Sequence, residues 1–335
     1  MKRIISLLLA LALTLSLTAC TVPAEKADGG KLQIVTTLFP YYDFARAIAQ
    51  DRADVTLLLS PGREAHSFEP TPLDAVTISE ADVFLYNGGE GEYWVESMLD
   101  AAGEHIAVAS RMMDYVDALN EEYVEGMQGA DGHDHDHEHG SHDDHDHDHE
   151  EDEHDSDEIE YDEHIWTSPK NAVVLCRAVC DAICRADAEN AAFYRANCEN
   201  YCAQLEDLDA RFAALCESAP RRLLIFADRF PMLYFCREYG LDYRAAFHGC
   251  SGDTEPSLAT IKFLIDKVED ENIPVVYTID FGTKKVAAVV SECTGAAIET
   301  LYSMQTVSRA DFDAGETYLT LMERNFEALR KGLNE

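Results

Sequence analysis

The chain has 335 residues, 47% of them hydrophobic: too many for one ordinary core, enough for two, and too apolar for wholesale disorder. Its 64 acidic residues against 26 basic ones give a net charge of −38, which excludes nucleic acid and anionic molecules as natural partners and suits cations. Residues 131–164 hold 18 of those acids, ten of the thirteen histidines and no Lys or Arg, so about half the net charge sits in one short stretch.

The N-terminus reads as an address. Lys2 and Arg3 precede an apolar run over residues 4–17, which is 14 residues against the roughly 20 that a membrane-spanning helix needs. Basic, then apolar, then small residues is the order of a secretory signal. Leu17-Thr18-Ala19-Cys20 resembles the bacterial lipobox, an ordinary signal with a chance cysteine being the alternative. The expectation is a signal peptide over 1–19, lipidation at Cys20, a tether over 20–31, and a protein held by lipid outside the cytoplasmic membrane of a bacterium.

Strand-like runs over 33–37, 54–59, 82–86 and 106–109 alternate with helical patterns over 40–50, 72–80 and 92–100, the β-α-β order of a parallel sheet covered by helices. Residues 117–163 break that order with acidic, His-rich low complexity, expected as a disordered loop. Helical patterning resumes at Asn171, and 187–217 is the longest candidate, with apolar residues at spacings of three and four and no Pro or Gly. At 1.5 Å per residue it spans about 46 Å, the length of a rigid spine crossing two lobes. Strands at 222–227, 243–247, 275–279 and 297–301 then alternate with helices at 231–239, 256–269, 283–293 and 311–333. The fold class is α/β: two Rossmann-like lobes, 32–186 and 218–335, joined by the helix over 187–217. In such sheets ligands bind at the carboxyl ends of the strands, here in the cleft between the lobes.

Nine cysteines remain after Cys20, an odd number. Cys176, Cys180 and Cys184 recur at one-turn spacing along one helix, and Cys198 and Cys202 along the next. Neighbours one turn apart do not readily bridge each other. Buried thiols packing as small hydrophobes are therefore expected over a disulfide framework, and over a zinc site, since no paired CxxC occurs. His66 follows the strand ending near Leu59, and His164 stands where the polar stretch meets the ordered chain. Two imidazoles at the cleft of an acidic, exported protein point to metal ligation, with zinc suited to nitrogen donors.

The segment from His66 through Ser67, Phe68, Glu69, Pro70, Thr71 and Pro72 is similar to the first ligand motif of the zinc and manganese ABC-transporter substrate-binding lipoproteins, the cluster A-I family. Glu163, His164, Ile165 and Trp166, with Pro169, resemble its second. Tyr234, the Tyr239-Gly240-Leu241 triplet, Thr254 to Ser257 and the stretch 318–325 fit further family segments across the mature chain. The His-rich insertion is a mark of the zinc branch. The resemblance implies the two-lobed fold, a metal site in the cleft and no enzymatic activity. Where the family places a third His or Glu, counting back from Tyr234 lands on Arg229. A shift of one residue makes Asp228 the expected ligand, with Arg229 orienting it or merely pairing with it. The family's acidic fourth position is lost in 301–305, and His248 and Glu255 stand in reserve.

The function this implies is a monomeric extracytoplasmic receptor that captures Zn²⁺ and delivers it to a membrane permease of the ABC type. Its ligands would be His66, His164 and Asp228. His133, His135, His137, His139, His142, His145, His147, His149 and His154 would scavenge divalent ions weakly. A Mn²⁺ receptor of the same family is the alternative, because carboxylates favour a harder ion. A zinc hydrolase, with Glu64 or Glu163 as base, lacks both HExxH and GxSxG. A surface metal store or adhesin would need no site between lobes.

Overall fold

A short apolar run, a turn and an amphipathic helix recur along this chain, and each run becomes a strand because β-branched and aromatic residues pack well on a pleated surface buried on both sides. A computed structural model describes residues 30–63, 65, 68–103, 106–129, 160–251 and 255–334. The expectations for the signal peptide, Cys20, His66 and the nine histidines of 133–154 lie outside these residues. Leu32–Glu335 forms one compact unit.

The first sheet holds β1 (Leu32–Thr36), β2 (Ala53–Leu57), β3 (Val83–Tyr86) and β4 (Val108–Arg111), parallel throughout and ordered β2-β1-β3-β4. Its helices are α1 (Phe39–Ala49), α2 (Pro72–Ser79) and α3 (Trp94–Ala102). Thr71 starts α2 with a reciprocal pair of bonds to Asp74, and Pro72 follows at a position where its missing N–H costs nothing. Two long helices come next, α4 (Pro169–Ala186) and α5 (Ala191–Ser218).

The second sheet repeats the first: β5 (Leu223–Phe230), β6 (Asp242–His248), β7 (Val275–Ile279) and β8 (Ala297–Leu301), ordered β6-β5-β7-β8 and parallel. Its helices are α6 (Leu233–Tyr239), α7 (Leu258–Asp270), α8 (Lys285–Thr294), α9 (Arg309–Ala314) and α10 (Tyr318–Asn334). The single terminal helix expected over 311–333 is two, because Gly315 at φ 78° ends α9 in the left-handed region.

Helix α5 is the spine. Its buried stripe of Tyr194, Cys198, Tyr201, Leu205, Leu208, Phe212 and Leu215 touches α1 and α4 beside the first sheet and α6 and α10 beside the second. The buried Asp43 of α1 fastens it there, accepting from the Tyr201 hydroxyl at 2.6 Å and from the Tyr318 N–H of α10 at 3.0 Å.

One expectation needs correction. Residues 117–129 and 160–163, assigned to a disordered loop, are part of the fold. Asn120 and Tyr161 form an antiparallel bridge, Met127 is buried in the core, and Asp162 is fully buried. Composition suggested solvation; backbone pairing across the intervening stretch brings both flanks inside.

Candidate metal centre

In each sheet the strand order reverses between its two central strands, and the loops leaving that point diverge to leave a crevice. In the first sheet these are the loops after β1 and β3, which carry Thr37, Leu38, Asn87 and Glu92. In the second they are the ends of β5 and β7, which carry Arg229, Pro231, Ile279 and Phe281. Each set lines a pocket of about 20 Å³, room for one water-sized occupant. Glu163 lines the first pocket, His164 the second, and Gln305 both. Residues 163–164 thus sit where the two crevices meet.

His164 is held tightly. Its ring Nδ1 lies 3.0 Å from Asp162 Oδ1, and its backbone N–H donates to the same oxygen at 2.7 Å. The ring meets Trp166 edge to face at 5.6 Å, and the Trp166 indole N–H donates to the Ser303 carbonyl at 2.8 Å. A carboxylate on Nδ1 fixes the tautomer and directs Nε2 to any cation, the arrangement that orients metal-binding imidazoles. Burial disfavours the charged ring, but Asp162, with Glu121 and Glu163 beyond it, outweighs that and holds the His164 pKa above its ordinary value.

The first pocket is lined by two acidic side chains. Glu92 is pushed up to about 7, chiefly by burial and also by Glu163. Glu163 is raised as well, again first by burial, although the Gly91 N–H donates to its Oε1 at 2.9 Å. Two carboxylates short of positive charge are what a bound cation would stabilise. Ala65 and Phe68, which flank His66 in sequence, line this same pocket. His66 itself lies outside the described residues.

Asp228, expected as the third ligand, is placed elsewhere. Its Oδ1 accepts from the Arg229 N–H at 2.9 Å and its Oδ2 from the Ile279 N–H at 3.4 Å. The carboxylate presses so close on Gly282 that any side chain there would collide with it. The residue that lines the pocket with His164 is Arg229, whose Nη1 donates to the Ser251 carbonyl at 3.4 Å. A bulge explains the exchange. Phe226 pairs with Ala245 and Arg229 with Phe247, so β5 carries one residue more than β6 and its side chains are re-aimed.

Of the reserve candidates, Glu255 is exposed and 3.9 Å from Lys285 Nζ, remote in character from a closed site. His248 is half-buried, 3.7 Å from Glu121 Oε1 and raised chiefly by that carboxylate. Burial alone would raise Glu121, but His248, the Cys250 side chain and His164 overcome it and hold it down at about 2, and the Cys250 N–H donates to its Oε1 at 3.0 Å. Gly249 lets this loop reach the site: a Cβ there would stand 3.1 Å from the His164 ring and 2.9 Å from the Phe230 carbonyl oxygen. Sequence reasoning missed Asp162, although it stands only two residues before His164. It gave no sign of Glu121 or Gly249, which meet the site only through the fold.

Two parallel-sheet lobes with a carboxylate-backed imidazole between their crevices define a two-lobed solute-binding protein of the metal-receptor class. The chain belongs to the ZnuA family, described as zinc-uptake complex component A, periplasmic, whose sequence profile matches residues 34–332. It is 31% identical over 316 residues to the high-affinity zinc uptake system protein ZnuA of Bacillus subtilis strain 168, covering 93% of this chain and 91% of that protein. It is 30% identical over 334 residues to the zinc-binding lipoprotein AdcA of Streptococcus pneumoniae R6, covering 99% of this chain but only 61% of that longer protein. Among solved structures, the Zn(II)-bound ZnuA-like domain of S. pneumoniae AdcA superposes with a TM-score of 0.71 at 26% identity, over 91% of this chain and all of that domain. The metal-dependent lipoprotein YcdH of B. subtilis gives 0.72 at 29%, over 90% of this chain and all of that one.

Proposed function

We propose that this chain is the extracytoplasmic receptor of a zinc importer: it captures Zn²⁺ between its two lobes and hands it to an ABC-type permease. The observation that carries this is the buried His164–Asp162 pair, set where the two crevices meet beside the carboxylates of Glu92 and Glu163. His66 and His164 are the proposed ligands, with solvent completing a tetrahedral set. Asp228 is reassigned to holding the 279–282 loop, and Arg229 to lining the pocket. The names and bound metals of the relatives support zinc over manganese. Anchoring through Cys20 rests on the lipobox-like sequence and on the lipoprotein name of one relative. The histidines from His133 to His154 form a weak scavenging reservoir that feeds the tight site.

Titration of the reduced full-length chain against a competing chelator tests this. One tight equivalent of Zn²⁺ is expected at the cleft, apart from any held by cysteine, preferred over Mn²⁺, lost in His66→Ala and in His164→Ala with the fold intact, and kept when residues 131–157 are deleted. Undiminished tight affinity in either histidine variant would remove that residue from the site.

A further inference from the structure

Helices α4 and α5 pack side by side and bring five cysteines into one dry seam. Cys176, Cys180 and Cys184 follow at one-turn intervals on α4, Cys198 and Cys202 on α5, and all five are buried free thiols. The Cys198 and Cys202 sulfurs are 3.8 Å apart, those of Cys180 and Cys184 4.0 Å. Cys176, Cys198 and Cys202 hold their sulfurs within 4.8 Å of one another, and Cys180 contacts Cys198 as well. The other partners of these thiols are weak: Cys198 Sγ donates to the Cys176 carbonyl at 3.8 Å and Cys202 Sγ to that of Val173 at 3.9 Å.

The 3.8 Å between Cys198 and Cys202, with Cys176 within 4.8 Å of both, fits coordination. Zn–S bonds of about 2.3 Å place the sulfurs of a tetrahedral site about 3.8 Å apart and those of a trigonal one about 4.0 Å apart. A disulfide needs about 2.05 Å, and neighbours one turn apart on a helix cannot reach it without moving the backbone. Side chains converging from two facing helices are also how helical bundles build metal sites.

We propose that Cys176, Cys198 and Cys202 form a second, all-sulfur metal site that takes a thiophilic d¹⁰ cation of the Zn²⁺ and Cd²⁺ class in trigonal coordination and staples α4 to α5. Each ligating thiol releases its proton to solvent, so three thiols and one divalent ion give a singly negative centre and three protons. The Arg177 guanidinium on the outer face lies near enough to Cys198 and Cys202 to offset part of that charge. The site is independent of the cleft and of the reading of its cargo.

Cobalt(II) is the probe, because sulfur ligation gives a thiolate-to-metal charge-transfer band that His and carboxylate sites lack. The reduced full-length chain should develop this band to one equivalent, whether cobalt is added to the folded protein or present during refolding. The band should vanish in the Cys198→Ser/Cys202→Ser double variant and in Cys176→Ala, each shown by circular dichroism to be folded. It should persist in His164→Ala, Cys216→Ala and Cys250→Ser. Absence of the band in the folded, reduced wild type under both protocols would overturn the proposal. So would its loss with Cys250→Ser and survival in the double variant, or isolation of a disulfide among these cysteines in protein that takes up no metal after reduction.

Discussion

The two sheets share strand order, parallel pairing and a crevice at the same topological point, yet they furnish the cleft differently. The first supplies Glu92 and stands beside Glu163 and the Asp162–His164 pair, so its side is rich in buried acidic groups. The second supplies the guanidinium of Arg229 and the backbone of residues 249–251, which close over the imidazole. Repetition of a fold therefore does not repeat its chemistry. In the proposed receptor, one half would attract and ligate the cation and the other would cover it and moderate the charge.

Four substitutions break or sharpen that contrast. The largest effect is expected from Glu92→Gln. The folded pKa of Glu92 lies near 7 against 4.5 unfolded, so the native state keeps a proton that the unfolded chain gives up. Stability then falls as pH rises from about 4.5 to 7, by roughly 3 kcal/mol, and stays reduced above that window. Glu92→Gln should recover most of this in the metal-free protein at pH 8 and nothing at pH 4, measured by denaturant melts at both pH values. An equal effect at the two would show that Glu92 is ionised throughout.

Asp162→Asn should weaken zinc by roughly 10- to 100-fold, as loss of a carboxylate behind a ligating imidazole does elsewhere, while leaving the fold in place. Unchanged affinity would mean that Trp166 and the backbone orient the ring by themselves. Arg229→His should move the other way. It removes a like charge from the pocket and adds a nitrogen donor, for a gain on the order of tenfold in the same chelator competition. A loss on this substitution would assign Arg229 a positive part in closing the cleft.

Asp228→Asn is the smallest. The carboxylate accepts two backbone N–H groups on the second sheet, so the variant should lose about 1 kcal/mol in a thermal melt with zinc affinity unmoved. A steep fall in affinity would instead restore Asp228 as a ligand and show that its carboxylate turns into the cleft on binding.

Of the first half of the site, His164 was legible without coordinates. The carboxylate that orients it was missed, although the two are only two residues apart and their contact is a property of a short peptide. The second half was not legible. Whether Asp228 or Arg229 faces the pocket depends on a bulge, and a bulge is defined only against the partner strand β6. The residue count back from Tyr234 pointed to Arg229, but the chemistry of a guanidinium argued against accepting it as a ligand.

Periodicity determined the elements, because side-chain alternation in strands and the 3.6-residue repeat in helices are short-range properties. It set β7 and β8 to the residue and the spine to within a few residues. Order and spacing of motifs determined the family. Only the tertiary structure decided which charges meet: Glu121 lies 129 positions before Cys250, whose N–H it accepts, and Cys176 lies 22 before Cys198, whose thiol donates to its carbonyl. Sequence argued against a thiolate site because it looked for paired cysteines along one chain segment. The packing of α4 on α5 builds the sulfur cluster from two, since contacts across a helix interface depend on crossing geometry that no local pattern encodes.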